Sequence, residues 1–471
     1  MRKTKLVITM GPALADDEKL REVLREADAI RLNASHGDPA ARSGVLARVR
    51  AVAAELGREL PVFLDLQGPK WRVGALEAPV DLAEGSEGCF VPPGAEGAGG
   101  GAWRVPLPHP ELFEGAREGQ RWLLDDGALE VEVLEARADA VRAKVRVGGE
   151  LKARKGVHPI GLELALDPLT AKDLEDVRWG VANGVELFAQ SFVRRRADVE
   201  QLQQRIREAG GNQPVIAKIE HPQALENLEE ILQVSWGVMV ARGDLGVELG
   251  VERVPSLQKK IIRTARKALK PVITATQMLE SMIENPSPTR AEASDVANAI
   301  WDGTDAVMLS AESAAGAYPV EAVQWLARIA AEADAHVPGM AYRRDIGEMA
   351  RGRTDISVAF AACRAAEDLG ARWIVAFTEG GGSARMVSRL AGQTPVLGAT
   401  TDGATARCMG LLRGVTALII PRVQSTDDMV EAVRELLLAK HELLPGDHVV
   451  MTMGLPLWKS GSTNTMKVMT F

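Results

Sequence analysis

The sequence predicts an α/β protein built around a closed (β/α)₈ barrel, interrupted by a small inserted β domain and followed by a second α/β unit. Two observations carry this. Short apolar, β-branched runs, each followed by a glycine or polar corner and a helix-like stretch, alternate eight times along the chain. The alternation breaks once, over 73–157, and the flanking segments 1–72 and 158–337 together come close to the roughly 250 residues typical of such a barrel. A doubly wound open sheet of this size is the weaker alternative.

The expected barrel strands are Lys3–Thr9, Ala29–Asn33, Leu60–Leu66, Val185–Ser191, Pro214–Ile219, Gly237–Ala241, Pro271–Thr276 and Asp305–Ser310. Helical patterns fill the intervals: Asp16–Glu26, Asp38–Leu56, Thr170–Ala182, Ala197–Ala209, Gln223–Leu232, Pro255–Leu269, Thr289–Trp301 and Pro319–Ala335. In the insert, short alternating strands such as Ala128–Ala136 and Ala140–Val147 replace helices, and the glycine-rich Pro92–Gly101 reads as a loop rather than a phosphate cradle because no helix follows it. From about residue 338 to 471 five apolar runs, Trp373–Thr378, Pro395–Thr400, Val415–Ile420, His448–Met453 and Thr465–Thr470, predict an α/β sheet domain. No solenoid repeat is present.

A chain of 471 residues exceeds what one hydrophobic core supports. Its net charge of -8 argues against nucleic acid or an anionic membrane as partner, so an anionic ligand needs a local cationic site. Cys89, Cys363 and Cys408 lie far apart without metal-ligand spacing, which fits a reducing cytoplasm. The basic N-terminus meets Gly11 and Pro12 before any cleavage-site pattern, and no apolar stretch approaches membrane-span length.

In a barrel of this kind the carboxyl ends of the strands converge on one mouth. Those ends carry RLNASHG (Arg31–Gly37), LDLQGPKWR (Leu64–Arg72), AQSF (Ala189–Phe192), AKIEH (Ala217–His221), ARGDLG (Ala241–Gly246), TATQM (Thr274–Met278) and MLSAES (Met308–Ser313). Lys218 and Glu220 lie two apart at a strand end and so share a side. Alone they would read as a structural ion pair. Asp244 arrives at the next strand end between Gly243 and Gly246, and two carboxylates from adjacent strands suit a hard divalent cation; a helix N-cap is the alternative use of Asp244. Arg31, Lys70, Arg72 and Lys218 form a cluster suited to clamping an anion. Thr276 and Ser310 add hydroxyls that are elsewhere turn hydrogen-bonders, and His36 is as readily structural as catalytic. The residues alone reach a metal-assisted reaction of a small phosphorylated or carboxylated anion, with lysine as electrophilic partner, and do not choose the substrate.

At these residues the chain resembles the pyruvate kinase family. RLNASHG, LDLQGPKWR, AKIEH, MVARGDLGVE, ATQMLESM and PTRAEASDVANAIWDGTDAVMLSAES resemble its motifs in order and spacing. The insert, with DDG at Asp125–Gly127 and KGV at Lys155–Val157, resembles its small β-barrel lid domain, and 338–471 its C-terminal effector-binding domain. The resemblance implies a glycolytic transfer of phosphoryl from phosphoenolpyruvate to ADP, giving pyruvate and ATP. It implies Glu220 and Asp244 as Mg²⁺ ligands, Lys218 as the stabiliser of the moving phosphoryl group and enolate, and Arg31 as the phosphoryl anchor. Backbone amides around Ala241, Arg242, Gly243 and Asp244, with Thr276, would seat the carboxylate. Asn33, Arg72, Arg58 and Lys155 would meet the nucleotide, and Thr276 and Ser310 would help a water protonate the enolate. Lid closure would exclude water and strengthen these contacts.

One departure stands in LDLQGPKWR. Most of the family reads like LDTKGPEIR here and seats K⁺ on the residues matching Asn33, Ser35, Asp65 and Leu66. In this chain Leu66, Gln67 and Lys70 replace threonine, lysine and glutamate, a combination resembling the potassium-independent branch. The ammonium of Lys70 would supply the ion's charge as a tethered point charge, so K⁺ is not expected to be required.

TEGGGSAR, carrying Thr378, Glu379, Gly380, Gly381, Gly382 and Ser383, resembles the family's effector loop, with LWKSGSTN (Leu457–Asn464) nearby; a glycine-rich turn ahead of a helix suits phosphate. A sugar-phosphate or nucleotide activator and a homotetramer are expected. The rival readings are a catalytically silent metabolite-sensing paralogue and another Mg²⁺-dependent barrel enzyme of enolate chemistry.

Overall fold

The computed structural model describes residues 2–95, 100–162, 167–337, 350–439, 442–457, 461 and 463–471, without the side chain of Asp126. Positions 96–99 of the glycine-rich Pro92–Gly101 stretch, and 458–460 and 462 of Leu457–Asn464, lie outside the described residues.

Eight parallel strands, Lys5–Thr9, Ala29–Asn33, Val62–Asp65, Leu187–Gln190, Val215–Ile219, Gly237–Ala241, Val272–Ala275 and Ala306–Leu309, close into a barrel in which each pairs with its sequence neighbours and the eighth with the first. Side-chain alternation sorts each strand into two faces. Val7, Phe63, Ile216, Met239, Ile273 and Met308 fill the interior. Leu6, Ile8, Leu64, Ala217 and Ile219 face outward into the core shared with the surrounding helices. The inward parity continues to the carboxyl ends as Thr9, Arg31, Asp65 and Lys218, so the barrel presents a polar floor to its mouth.

Local chemistry fixes the helices. Asp16 caps Asp17–Glu26 by accepting from the amides of Glu18 and Lys19, and Thr170 with Asp173 and Thr289 with Glu292 form reciprocal capping boxes. The expected helix Gln223–Leu232 is two pieces, Pro222–Glu226 and Leu228–Val234, joined at Asn227. A further helix, Arg242–Leu249, stands directly on the sixth strand with Ala241 at its N-cap, so Asp244 lies in its first turn and is not its cap; Gly243 and Gly246 lower its propensity. The chain also comes very close to itself at the mouth: a Cβ on Gly11 would lie 2.3 Å from the carbonyl oxygen of Ala314.

The insert holds a six-stranded sheet and a two-stranded sheet around one core in which Phe90 meets Trp103 and Trp122 at 5.4 and 5.2 Å between ring centroids. It joins the barrel through two adjacent chains: Val73 donates to the Lys155 carbonyl and Val157 to that of Trp71, both at 2.9 Å. Across the gap, His158 Nε2 lies 2.8 Å from Glu248 Oε1 on the sixth-strand helix.

The C-terminal unit is a five-stranded sheet, four strands parallel and Thr463–Thr470 antiparallel at its edge, with apolar clusters on both faces. It seals the amino end of the barrel, where Leu411 completes the interior cluster. Buried ion pairs fasten it: Arg389 to Asp305, and Arg413 to Asp334 at 2.6 Å. Among the described residues no helix is long and apolar enough to cross a membrane.

Candidate active site

The carboxyl ends of the strands surround a cavity of about 680 Å³ whose lining includes Arg31, Asp65, Lys218, Asp244, Thr276 and Ser310. Five strand ends and the sixth-strand helix thus deliver to one place side chains spread over 280 positions of sequence.

At its floor Asp65 is buried and receives Arg31 at Oδ2, 2.7 Å from both Nε and an Nη. Arg31 also donates to Thr9 Oγ1 at 3.2 Å. Lys218 Nζ stands 3.5 Å from Asp65 Oδ1 and 3.3 Å from Glu220 Oε2, and donates to Ser191 Oγ at 2.7 Å. Glu220 Oε1 accepts from the Phe192 amide at 2.7 Å. The remaining oxygens, Asp65 Oδ1 and Glu220 Oε2, are buried without a hydrogen-bond partner.

Burial opposes each of these charges, and the neighbours decide which survive. For Lys218, burial is outweighed by Asp65, Glu220 and Asp244, and the ammonium is held above its ordinary range. Burial pushes Asp65 up, yet Lys218 and Arg31 overcome it and hold the carboxyl below the usual range. Glu220 goes the other way: burial, reinforced by the Asp244 charge, exceeds the pull of Lys218 and raises it. A carboxylate oxygen that is buried, unpartnered and repelled by a second carboxylate is suited to a cation.

That donor set fits Mg²⁺. Among the described residues no three His, Cys, Asp or Glu side chains gather into a site sufficient by itself, so Glu220 and Asp244 would share the ion with substrate and water oxygens, as Mg²⁺ prefers.

On the far wall Thr276 has φ +66° and Gln277 φ +52°, left-handed conformations costly for non-glycine residues. Thr276 Oγ1 accepts from the Gly243 amide at 2.8 Å and donates to the Ala275 carbonyl at 2.6 Å. The side chain of Arg242 does not line the cavity, and only its backbone amide stands at the strand end. The side chain is buried, donating to the Thr276 and Gln277 carbonyls at 2.7 and 3.0 Å and pairing with Asp295 at 2.6 Å. Its guanidinium braces the strained turn. Arg242→Met is expected to cost about 1–3 kcal/mol, chiefly because it leaves the Thr276 and Gln277 carbonyls without their donor, the exposed Asp295 being resolvated; thermal melting measures this, with turnover falling as Thr276 relaxes.

In the monovalent-cation region two of the acceptors are engaged. Asn33 Oδ1 accepts from the Ser35 amide at 3.1 Å, and the Leu66 carbonyl accepts from Ser191 Oγ at 2.8 Å. Lys70 is exposed at the rim of the cavity, and its charge acts on both Asp65 and Glu220.

Three expected nucleotide contacts stand elsewhere. Arg58 precedes the third strand and is therefore at the amino end of the barrel, where it donates to the Leu24 and Arg25 carbonyls and faces Asp28; its assignment to the nucleotide is corrected to a structural role. Arg72 and Lys155 lie on the two hinge chains of the insert. There Arg72 donates to the Arg154 carbonyl at 2.9 Å and Lys155 pairs with Asp125 at 2.7 Å. Neither lines the cavity, whose lining also includes His36, Gly37, Ala41, Arg42 and Arg48.

In the C-terminal unit, Thr378, Glu379, Gly380, Gly382 and Ser383 line a separate cavity of about 370 Å³ together with Arg385. Gly381, with φ +79°, turns away at the start of helix Gly382–Leu390.

Sequence reasoning did not single out Thr9, Ser191 or Phe192. Strand parity from Val7 and Ala189 would have pointed Thr9 and Ser191 inward.

The family models described as "Pyruvate kinase, barrel domain" and "Pyruvate kinase, alpha/beta domain" match residues 1–323 and 356–469. A pyruvate kinase of Agrobacterium vitis is 43% identical over 99% of this chain and 96% of its own length. One of Corynebacterium glutamicum is 41% identical over 99% and 97%, and one of Staphylococcus saprophyticus 38% identical over 99% of this chain and 80% of its own, longer one. With matched models over both the barrel and the C-terminal unit, the chain is a phosphotransferase enzyme of the pyruvate kinase family.

Proposed function

We propose that this chain transfers the phosphoryl group of phosphoenolpyruvate to ADP, giving pyruvate and ATP, with Mg²⁺ required and K⁺ dispensable. The observation that carries the reading is the placement of Lys218, a buried ammonium between Asp65 and Glu220 and within the field of Asp244.

Phosphoryl transfer asks the protein chiefly for positioning and charge neutralisation. Arg31, its Nε and one Nη fixed on Asp65, is pre-oriented to take phosphoryl oxygens without paying for its own ordering. Lys218 holds a fixed positive charge where negative charge develops on the bridging oxygen as the P–O bond breaks and that oxygen becomes the enolate, in a site whose burial strengthens the effect. Mg²⁺, held by Glu220 and Asp244, would neutralise phosphoryl and carboxylate oxygens. The first amides of helix Arg242–Leu249 supply donors for the substrate carboxylate. The proton of Thr276 is committed to Ala275, so the hydroxyl fixes the Gly243 amide, and Ser310, at the end of the neighbouring eighth strand, lines the same cavity for the protonation step. ADP would enter beside His36, with Arg72 and Lys155 brought to its phosphates by movement of the insert about its two-chain hinge.

The cavity at Thr378–Ser383, flanked by Arg385, supports an activating sugar phosphate or nucleotide, and a homotetramer is the assembly proposed. Pyruvate and ATP formation from phosphoenolpyruvate and ADP with Mg²⁺, in buffer free of Na⁺ and K⁺ and again with K⁺, tests the reaction. Equal turnover in both is expected. Absence of turnover in both, with and without effectors, overturns the assignment.

A further inference from the structure

We propose that Ser191 is a positioning residue for phosphoryl transfer, its hydroxyl setting the direction of the Lys218 ammonium and tying it to the loop that carries Lys70. The proposal rests on the role of Lys218 given above.

Ser191 follows the fourth barrel strand and is 2% exposed. Its hydroxyl donates to the Leu66 carbonyl at 2.8 Å and accepts from Lys218 Nζ at 2.7 Å. A hydroxyl has one proton. With that proton on Leu66, the oxygen facing Lys218 can only accept, and the ammonium is bound in a defined direction. The carboxylates do not do this. Asp65 Oδ1 and Glu220 Oε2 stand at 3.5 and 3.3 Å from Nζ, and neither has a hydrogen-bond partner. They attract the charge without orienting it.

The surroundings hold Ser191 from both sides. Gly68, with φ +67°, lies so close that a Cβ there would be 3.1 Å from the Cβ of Ser191, so the Leu66–Lys70 loop closes directly over it. The next residue, Phe192, is left-handed at φ +62° and donates its amide to Glu220 Oε1 at 2.7 Å. Its ring lies 6.4 Å from that of Trp71 and 5.9 Å from that of His221. The dipeptide Ser191–Phe192 therefore orients the catalytic lysine with its side chain and the metal-facing glutamate with its backbone. A strained conformation is kept where it aims donors at reacting groups.

Ser191→Ala and Ser191→Cys in the full chain, compared with the unaltered chain for kcat, for KM toward phosphoenolpyruvate and ADP, and for thermal melting, test the inference. Ser191→Ala is expected to lower kcat about 10- to 100-fold, the scale of a slightly misplaced catalytic group, with KM values changed less than about threefold and the melting temperature close to that of the unaltered chain. Ser191→Cys, which keeps a weak donor and acceptor, is expected to fall between the two. A Ser191→Ala enzyme with undiminished kcat overturns the proposal. So does a Cys variant worse than the Ala variant, or a parallel loss of kcat, KM and melting temperature in both. If the unaltered chain shows no turnover of phosphoenolpyruvate and ADP, the functional reading fails, and the positioning inference fails with it; turnover by the unaltered chain and an undiminished Ser191→Ala variant overturn the inference alone.

Discussion

Lys218→Met is expected to lower kcat by about 10³-fold or more, the upper range for removing one preorganised donor from a closed site. The loss has two sources. The fixed positive charge at the phosphoryl bridge disappears, and the three carboxylates that Lys218 balances, Asp65, Glu220 and Asp244, repel one another unscreened. Leaving buried charges without their partner costs about 3–5 kcal/mol, so the melting temperature should fall as well. The pH dependence has a definite sign. Glu220 is already raised above its ordinary range by burial and Asp244; without Lys218 it rises further. A carboxyl whose folded-state pKa exceeds its unfolded value binds more protons when folded, so the destabilisation of Lys218→Met should grow as pH rises and shrink toward about pH 5. Lys218→Arg separates the two effects: it restores charge balance, and with it much of the melting temperature, while its broad planar fork cannot occupy the point position of an ammonium. Initial rates and melting curves of both variants at about pH 5 and pH 8 give the answer. A Met variant within tenfold of normal turnover would remove Lys218 from the mechanism.

What the sequence disclosed follows from periodicity. A strand alternates its side chains whatever surrounds it, so Lys218 and Glu220 could be placed on one side, and strand ends could be expected to meet at one mouth. The eight strands appear within one or two residues of their expected limits. Side chains in loops and at helix starts have no such rule. Arg242 stands in the same motif as Asp244, but two helical steps, roughly 200°, separate them, and its guanidinium turns into the protein to brace Thr276 while Asp244 lines the cavity. Arg58 is a cation close in sequence to a functional strand but at its wrong end. Ser191 was hidden because serine at a strand end is common; only the 2.7 Å contact with Lys218 distinguishes it. The left-handed backbone of Phe192, Thr276 and Gln277 is imposed by tertiary contacts, and local propensity argues against it.

Lys70→Glu is expected to convert the enzyme from K⁺ indifference to K⁺ dependence. Lys70 is exposed at the cavity rim, and its charge favours the ionised forms of Asp65 and Glu220 without touching either. Because Lys70 is exposed, solvent screens this effect, and it acts as a bias on the site rather than as a bond. Reversing its sign turns that bias against the ionised carboxylates that balance Lys218 and Arg31, so turnover in K⁺-free buffer should fall. The replacement also adds a carboxylate beside Asn33, Ser35, Asp65 and the Leu66 carbonyl, an oxygen-rich set able to hold a cation, so added K⁺ should restore activity saturably. Lys70→Met discriminates between losing a charge and building a site. It should lose activity less severely and regain less with K⁺, because no acid has been added. Initial rates against K⁺ concentration for the three chains at fixed ionic strength, set with a large organic cation, measure both effects while holding general screening constant. Equal rates of Lys70→Glu with and without K⁺ would mean that the ammonium at the rim does not stand in for an ion.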